Sequence, residues 1–236
     1  EMPVVQIGLL DWEMGKNYPA ELAIRGDVRE TLKALIPVLA EKGGAALKTK
    51  AAAKLAEFGG RNWSAKKKAL VERLEDAGSS SPINFDWMTW KMVEALPENA
   101  VVVHEGLTST RQLPNLLAYT DRYCYHGFAS GGIGWAMPGA VGVQLADLTR
   151  PVVAVIGDGS SMYSIQALWT AANMKIPITY VICNNKSYRI IKQRLKAFHG
   201  NDHFVGMDFD DPHLDFVGLA NAMGVAAERV EDPADL

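Results

Sequence analysis

The tightest constraint on this chain is a run of apolar, mostly β-branched residues, Val152 to Ile156, that stops at Gly157-Asp158-Gly159. Such a run offers water no polar face. It reads as a strand buried on both sides in a parallel sheet, with the glycines forming the tight turn that ends it. Ser160 and Ser161 supply hydroxyls where a helix N-cap is wanted, and Ile165, Leu168, Trp169 and Ala172 recur at helical spacing. A second apolar run, Ile178 to Cys183, then delivers Asn184-Asn185. The unit is therefore strand, helix, strand, with polar residues at both strand ends.

Ligands of open parallel sheets bind beyond the carboxyl ends of the strands, so Asp158 and Asn185 are expected on one rim. One carboxylate and one amide oxygen suit Mg²⁺, which usually keeps phosphate and water among its ligands. The helix N-terminus behind Gly159 favours an anion, and the glycines allow close backbone approach. A diphosphate bridged to the protein by Mg²⁺ satisfies both halves. Other phosphate motifs fail: there is no G-x-x-x-x-G-K-[ST], and Met162 stands where G-x-G-x-x-G needs its third glycine.

GDG, a spacer of residues 160–183 and then NN resembles the diphosphate-anchoring motif of thiamine-diphosphate (ThDP) enzymes. The resemblance implies that Asp158, the Asn185 side chain and the Ser187 carbonyl bind Mg²⁺, with Gly157, Gly159, Ser160, Tyr188 and Arg189 around the cofactor. Upstream, Ser130-Gly131-Gly132-Ile133-Gly134 resembles the family's second signature. It implies that the Gly131 carbonyl accepts a bond from the aminopyrimidine and that Ile133 wedges the cofactor into its bent, active form. The loop after the strand expected over Ala100 to Val103, His104 to Thr110, puts hydroxyls on the same rim. By resemblance Thr108 and Ser109 touch the diphosphate and Thr110 faces substrate. In related decarboxylases the helix opening after Asn185 lines the substrate pocket, and by that resemblance Ile190 and Arg194, four apart on one face, are expected to meet substrate.

The fold implied is α/β: a three-layer parallel sheet with helices on both faces. Residues 84–236 would form the ThDP diphosphate-binding domain, cut short at its C-terminus. Residues 1–41, with a strand at Val4 to Leu10 and a helix from Asp27, resemble the end of a nucleotide-fold central domain. Residues 42–83, rich in Ala, Lys, Glu and Gly, read as a partly helical interdomain linker, in which Lys66-Lys67-Lys68 is nearly balanced by Glu72, Glu75 and Asp76. Gly224-Val225-Ala226 is expected to start a further strand. His199 and His203 have the spacing of a metal pair, but Gly200 breaks the helix they would need and no third ligand stands out.

Composition narrows the partners. Lys+Arg 24 against Asp+Glu 27 gives a net charge of −3 over 236 residues, with no basic footprint for nucleic acid, and no apolar run reaches membrane-spanning length. Cys124 and Cys183 form no disulfide framework, which points to a reducing cytoplasm. The resemblance is closest to benzoylformate decarboxylase and acetolactate synthase-like enzymes. It implies ThDP- and Mg²⁺-dependent decarboxylation of a 2-oxo acid, with carboligation as the alternative and a non-catalytic ThDP-fold module as the second. In the family the cofactor lies at a subunit interface, so a homodimer, a homotetramer or a complementary pyrimidine-binding subunit is implied. The family's glutamate that protonates the aminopyrimidine has no match here.

Overall fold

The computed structural model describes residues 2–236. The chain divides into two compact units, one ending at Ala65 and the other spanning Lys66–Leu236. In the first, β1 (Val5–Gly8) pairs in parallel with β2 (Leu22–Arg25). Helix α1 (Val28–Gly59) follows, its first turn capped by the Asp27 carboxylate, which accepts from the Glu30 N–H at 3.0 Å. Gly44, at φ +53°, breaks α1 into two helices, and none of its residues is buried.

The second unit carries the core. Helix α2 (Trp63–Ala77) buries Leu70 and Leu74 against Trp90 of α3 (Phe85–Ala95) and Leu116 of α4 (Leu113–Leu116). The second half of the segment read as a linker is therefore part of the domain's packing. Its two leucines stand four apart on one face, the amphipathic stripe the sequence offers around Ala69, Leu70, Arg73 and Leu74, and what the sequence alone did not show is the packing partner of that stripe.

Four strands follow, β3 (Val101–Glu105), β4 (Tyr125–His126), β5 (Val152–Gly157) and β6 (Ile178–Cys183), all parallel in the order β4-β3-β5-β6. Side chains alternate between two cores. Val101, Val103, Ala154 and Ile156 pack with Ala136, Met137 and Ala140 of α5 (Ala136–Ala146), Leu168 of α7 (Ala167–Asn173) and Ala220 of α9 (Phe216–Ala222). Val102, Val153 and Val155 face the other way, onto Leu113, Leu117, Met88 and Met92. Both faces are covered by helices, as the continuous apolar runs require. Chain order leaves β3 toward β4 and leaves β5 toward β6, so the switch in direction lies between the tips of β3 and β5.

Two local expectations are corrected. Ser160 and Ser161 do not cap a long helix: they lie inside α6 (Asp158–Ser161), a single turn whose N-cap is Gly157. The Ser161 hydroxyl donates back to the Asp158 carbonyl at 2.7 Å and Ser164 donates to the Gly134 carbonyl. These side-chain bonds compete with a continuous helix, which resumes only at Ala167 and leaves Trp169 facing outward. Residues 224–226 form no strand. Gly224, at φ +82°, turns the chain so that the Val225 N–H donates to the Ala220 carbonyl, closing the end of α9.

His104 sits in β3 with Nδ1 2.8 Å from the Tyr125 hydroxyl and Nε2 2.6 Å from the Thr110 hydroxyl. Tyr119 stacks edge-on against Tyr125, and burial pushes the His104 pKa from 6.5 down to about 4. The folded ring stays neutral while the unfolded one takes up a proton below pH 6.5. Stability is thus full above 6.5 and lost as pH falls toward 4. Between pH 7 and pH 5 the loss from this residue should be about 2 kcal/mol. Urea melts at the two pH values should show it, and should show a shallower fall in His104→Gln.

Candidate functional site

Three strand tips meet on one rim. β5 ends in extended backbone at Gly157 and hands over to Asp158, which is only 2% exposed. One carboxylate oxygen of Asp158 accepts from the Gly159 N–H at 2.8 Å and the other from the Asn185 N–H, just past β6, at 3.0 Å. The Asn185 amide in turn donates to the Ser109 hydroxyl, past β3, at 3.3 Å. Its carbonyl oxygen accepts from the Ser187 N–H and hydroxyl at 3.1 and 3.2 Å. Asp158, Asn185, Ser187 and Ser109 therefore form one chain of contacts across the tips of β6, β5 and β3.

The electrostatics of Asp158 are one-sided. Burial raises its pKa, and the backbone N–H groups of Gly159, Lys186, Asn185 and Ser187 oppose that rise without cancelling it. Among the described residues no cationic side chain pairs with it. A buried carboxylate left with spare lone pairs on a rim is an unbalanced charge that a cation would settle. Hard cations take oxygen ligands, and the segment bonded to Asp158 through the Asn185 N–H also carries the Asn185 amide oxygen, at present accepting twice from Ser187, and the Ser187 carbonyl. The Ser187 carbonyl already accepts from the Arg189 N–H at 2.8 Å and has a second lone pair to offer.

The segment after β6 is held from behind. Lys186 takes φ +59°, the Tyr188 N–H donates to the Met207 carbonyl and the Phe209 N–H to the Lys186 carbonyl, both at 2.9 Å. Tyr188 packs edge-on against Phe209, ring centres 4.7 Å apart, and both sit over Gly159. Loop residues 207–209 thus fold onto the segment that carries Asn185 and Ser187, and Lys192 pairs with Asp208.

The remaining expected residues divide. Thr108 is half-buried in the turn Leu107–Ser109, and helix α8 (Arg189–His199) packs against that turn. On α8, Ile190 is half-buried and Arg194 exposed. Gly131 is exposed and Ile133 half-buried in a loop whose last glycine, Gly134, abuts the Ser160 carbonyl. Thr110 departs from expectation: its side chain is fully buried and its hydroxyl is engaged by His104, so it faces the domain interior rather than an opening for substrate. Arg189 lays its guanidinium over the Phe85 ring, 5.8 Å from its centre. Glu105 escaped the sequence reading. It is 1% exposed and accepts from the Gly134 and Ala136 N–H groups at 2.5 and 2.8 Å. The available signal was a carboxylate two residues past the apolar run Ala100 to Val103.

Residues 109–236 match the profile of the thiamine pyrophosphate enzyme C-terminal TPP binding domain. The chain belongs to this family. Over 137 residues, 58% of this chain and 25% of the relative, it is 34% identical to benzoylformate decarboxylase of Pseudomonas aeruginosa. Over 241 aligned residues, 93% of this chain and 34% of the relative, it is 27% identical to the acetolactate synthase large subunit of Parasynechococcus marenigrum. A solved structure of the thiamine diphosphate-dependent 4-hydroxybenzoylformate decarboxylase of Rhodococcus jostii RHA1 superposes with a TM-score of 0.62 at 32% identity. That match covers 67% of this chain and 29% of the other. The chain spans about a quarter to a third of the length of these relatives. Its parallel sheet covered by helices is the fold of this binding domain, and thiamine diphosphate is the cofactor.

A Cβ on Gly159 would lie 2.6 Å from the Tyr188 ring and 3.2 Å from Phe209. Gly159→Ala should displace that aromatic pair and, with it, the segment holding Asn185 and Ser187. We expect ThDP binding to weaken at least about tenfold and unfolding stability to drop by about 1–3 kcal/mol, read by calorimetry and by urea melts.

Proposed function

We propose that this chain is the diphosphate-binding part of a ThDP- and Mg²⁺-dependent enzyme that decarboxylates a 2-oxo acid. The observation that carries this reading is Asp158, a buried carboxylate without a cationic partner among the described residues, bonded to Asn185 at the tip of the neighbouring strand. Asp158, the Asn185 amide oxygen and the Ser187 carbonyl would hold Mg²⁺. Ser109 and Thr108, Gly157, Gly159 and Ser160 would surround the diphosphate from β3 and β5. The Tyr188 ring, packed over Gly159, would close one side of that cradle.

When bound, thiamine diphosphate would supply a nucleophilic carbon and the electron sink that takes up the bonding electron pair left behind as CO₂ departs. The chain's own part is geometry. The Gly131 carbonyl would orient the aminopyrimidine amino group and Ile133 would hold the cofactor bent. Ile190 and Arg194, one turn apart on α8, would meet the substrate, the arginine offering its guanidinium to a carboxylate. The exposed Gly131 and the open rim suit a second subunit completing the site, in a homodimer, a homotetramer or with a separate pyrimidine-binding chain. The buried, unpaired thiols of Cys124 and Cys183 fit a reducing cytoplasm.

Carboligation is the second reading, favoured by the similarity to an acetolactate synthase that extends over 93% of the chain. The two differ only after CO₂ has left, in whether a proton or a second carbonyl compound is taken up. CO₂ release and product analysis with a panel of 2-oxo acids decide between them: aldehyde alone indicates decarboxylation, a hydroxyketone carboligation, and no CO₂ from any substrate a binding module. Asp158→Asn should abolish Mg²⁺-dependent ThDP binding in calorimetry, at least about a hundredfold. Unliganded stability should stay within about 1 kcal/mol of the parent, because relief of a buried charge offsets one lost backbone bond. Undiminished binding in that variant would remove Asp158 from the site.

A further inference from the structure

One buried carboxylate takes no part in the reading above. Glu105 ends β3 and makes no ion pair among the described residues, yet both of its oxygens are used, by the N–H groups of Gly134 and Ala136. The other peptide group of Gly134 is held too, its carbonyl accepting from the Ser164 hydroxyl. Gly134 stands at φ +88°, and a Cβ there would lie 2.5 Å from Tyr163 and 3.2 Å from the Ser160 carbonyl. This glycine is thus clamped between the end of β3 and the segment that follows the GDG turn.

What hangs from the clamp is the loop that bears Ile133. Gly131 and Gly132 are exposed, and a Cβ on Gly131 would meet open space. A loop that begins with two free glycines has little stiffness of its own, so its position is set from its far end. We propose that Glu105 is a positioning residue: through Gly134 and Ala136 it fixes Gly131 and Ile133 relative to Asp158 and Asn185. The inference rests on the proposed function and deepens it. The diphosphate end of the cofactor would be gripped by the strand tips without help from Glu105, whereas the aminopyrimidine end would depend on it.

The chemistry requires a carboxylate. Two N–H donors need two acceptors from one side chain, and an ionised carboxylate offers only acceptors and stronger bonds than a neutral group. Glutamine at this position would meet one of the two N–H groups with an NH₂, donor against donor.

The test uses two probes on the whole protein: inorganic diphosphate with Mg²⁺, and ThDP with Mg²⁺, each by calorimetry. In Glu105→Gln, inorganic diphosphate should bind within twofold of the parent while ThDP weakens at least tenfold. Amide exchange at Gly134 and Ala136 should quicken more than in β5. Ser164→Ala, which removes only the partner of the Gly134 carbonyl, should show the same split more weakly, and it carries the test if Glu105→Gln does not fold. Equal weakening of both probes would reduce Glu105 to a cap on α5 and overturn the proposal, as would ThDP binding equal to the parent. A parent protein that binds neither probe overturns the proposed function, and this inference with it.

Discussion

The structure of the site depends on a nearly buried carboxylate that is balanced only by backbone. Asp158 closes the most buried strand of the sheet, and its two oxygens take N–H groups from its own turn and from the next strand's tip. Each bond fixes a different element: the first shapes the turn, and the second sets where β6 ends relative to β5. Because Asn185 also reaches Ser109, the registration continues to β3, and three loops distant in sequence share one geometry. Desolvation makes this arrangement costly for the ionised acid, which the raised pKa of Asp158 records. The cost is what gives the rim its appetite for a cation.

The sheet makes that arrangement possible. β5 lies between β3 and β6, pairing Glu105 with Ile156 on one side and Gly157 with Cys183 on the other. Helices on both faces exclude solvent from Val152 to Ile156, so the tip of β5 is the first point along it where a polar side chain stands. The Cys183 thiol shows how complete this exclusion is: it is 2% exposed, and burial, with the nearby Asp158 charge, pushes its pKa up to about 12. It remains a small apolar side chain beside the site rather than a nucleophile.

The parts legible in the sequence were those in which one residue type answers to one local requirement. Val152 to Ile156 ending in glycine admits few conformations, and the same holds for Ile178 to Cys183 ending in asparagine, so both strands and the adjacency of Asp158 and Asn185 could be read directly. What escaped was decided by partners far along the chain. Leu70 and Leu74 look like a sparse stripe among charges until Trp90 and Leu116 meet them. The helix expected from Ser160 breaks because Ser164 has a partner in Gly134, thirty residues earlier. Thr110 resembles its neighbouring hydroxyl residues, and only the ring of His104 draws it inward. Val225 has the β-branched character of a strand residue, but the chain turns at Gly224 and its N–H closes a helix instead.

Two carboxylates end adjacent strands, and their contrast explains how the site can be both rigid and receptive. Glu105 points its charge at the N-terminus of α5, where unpaired N–H groups and the helix dipole satisfy both oxygens, and nothing is left over for a ligand. Asp158 takes one hydrogen bond from its own turn and one from the Asn185 peptide, with the Lys186 and Ser187 N–H groups acting from farther off, and lone pairs remain for a ligand. The first arrangement stabilises a loop and the second retains binding capacity. Both side chains are equally buried, so the contrast lies in the partners and not in the depth: one carboxylate is satisfied by peptide groups and the other keeps acceptor capacity. The long helix therefore has to start after the second signature loop and the short one after the first, and that ordering is written in the serines at 160, 161 and 164 as much as in the glycines.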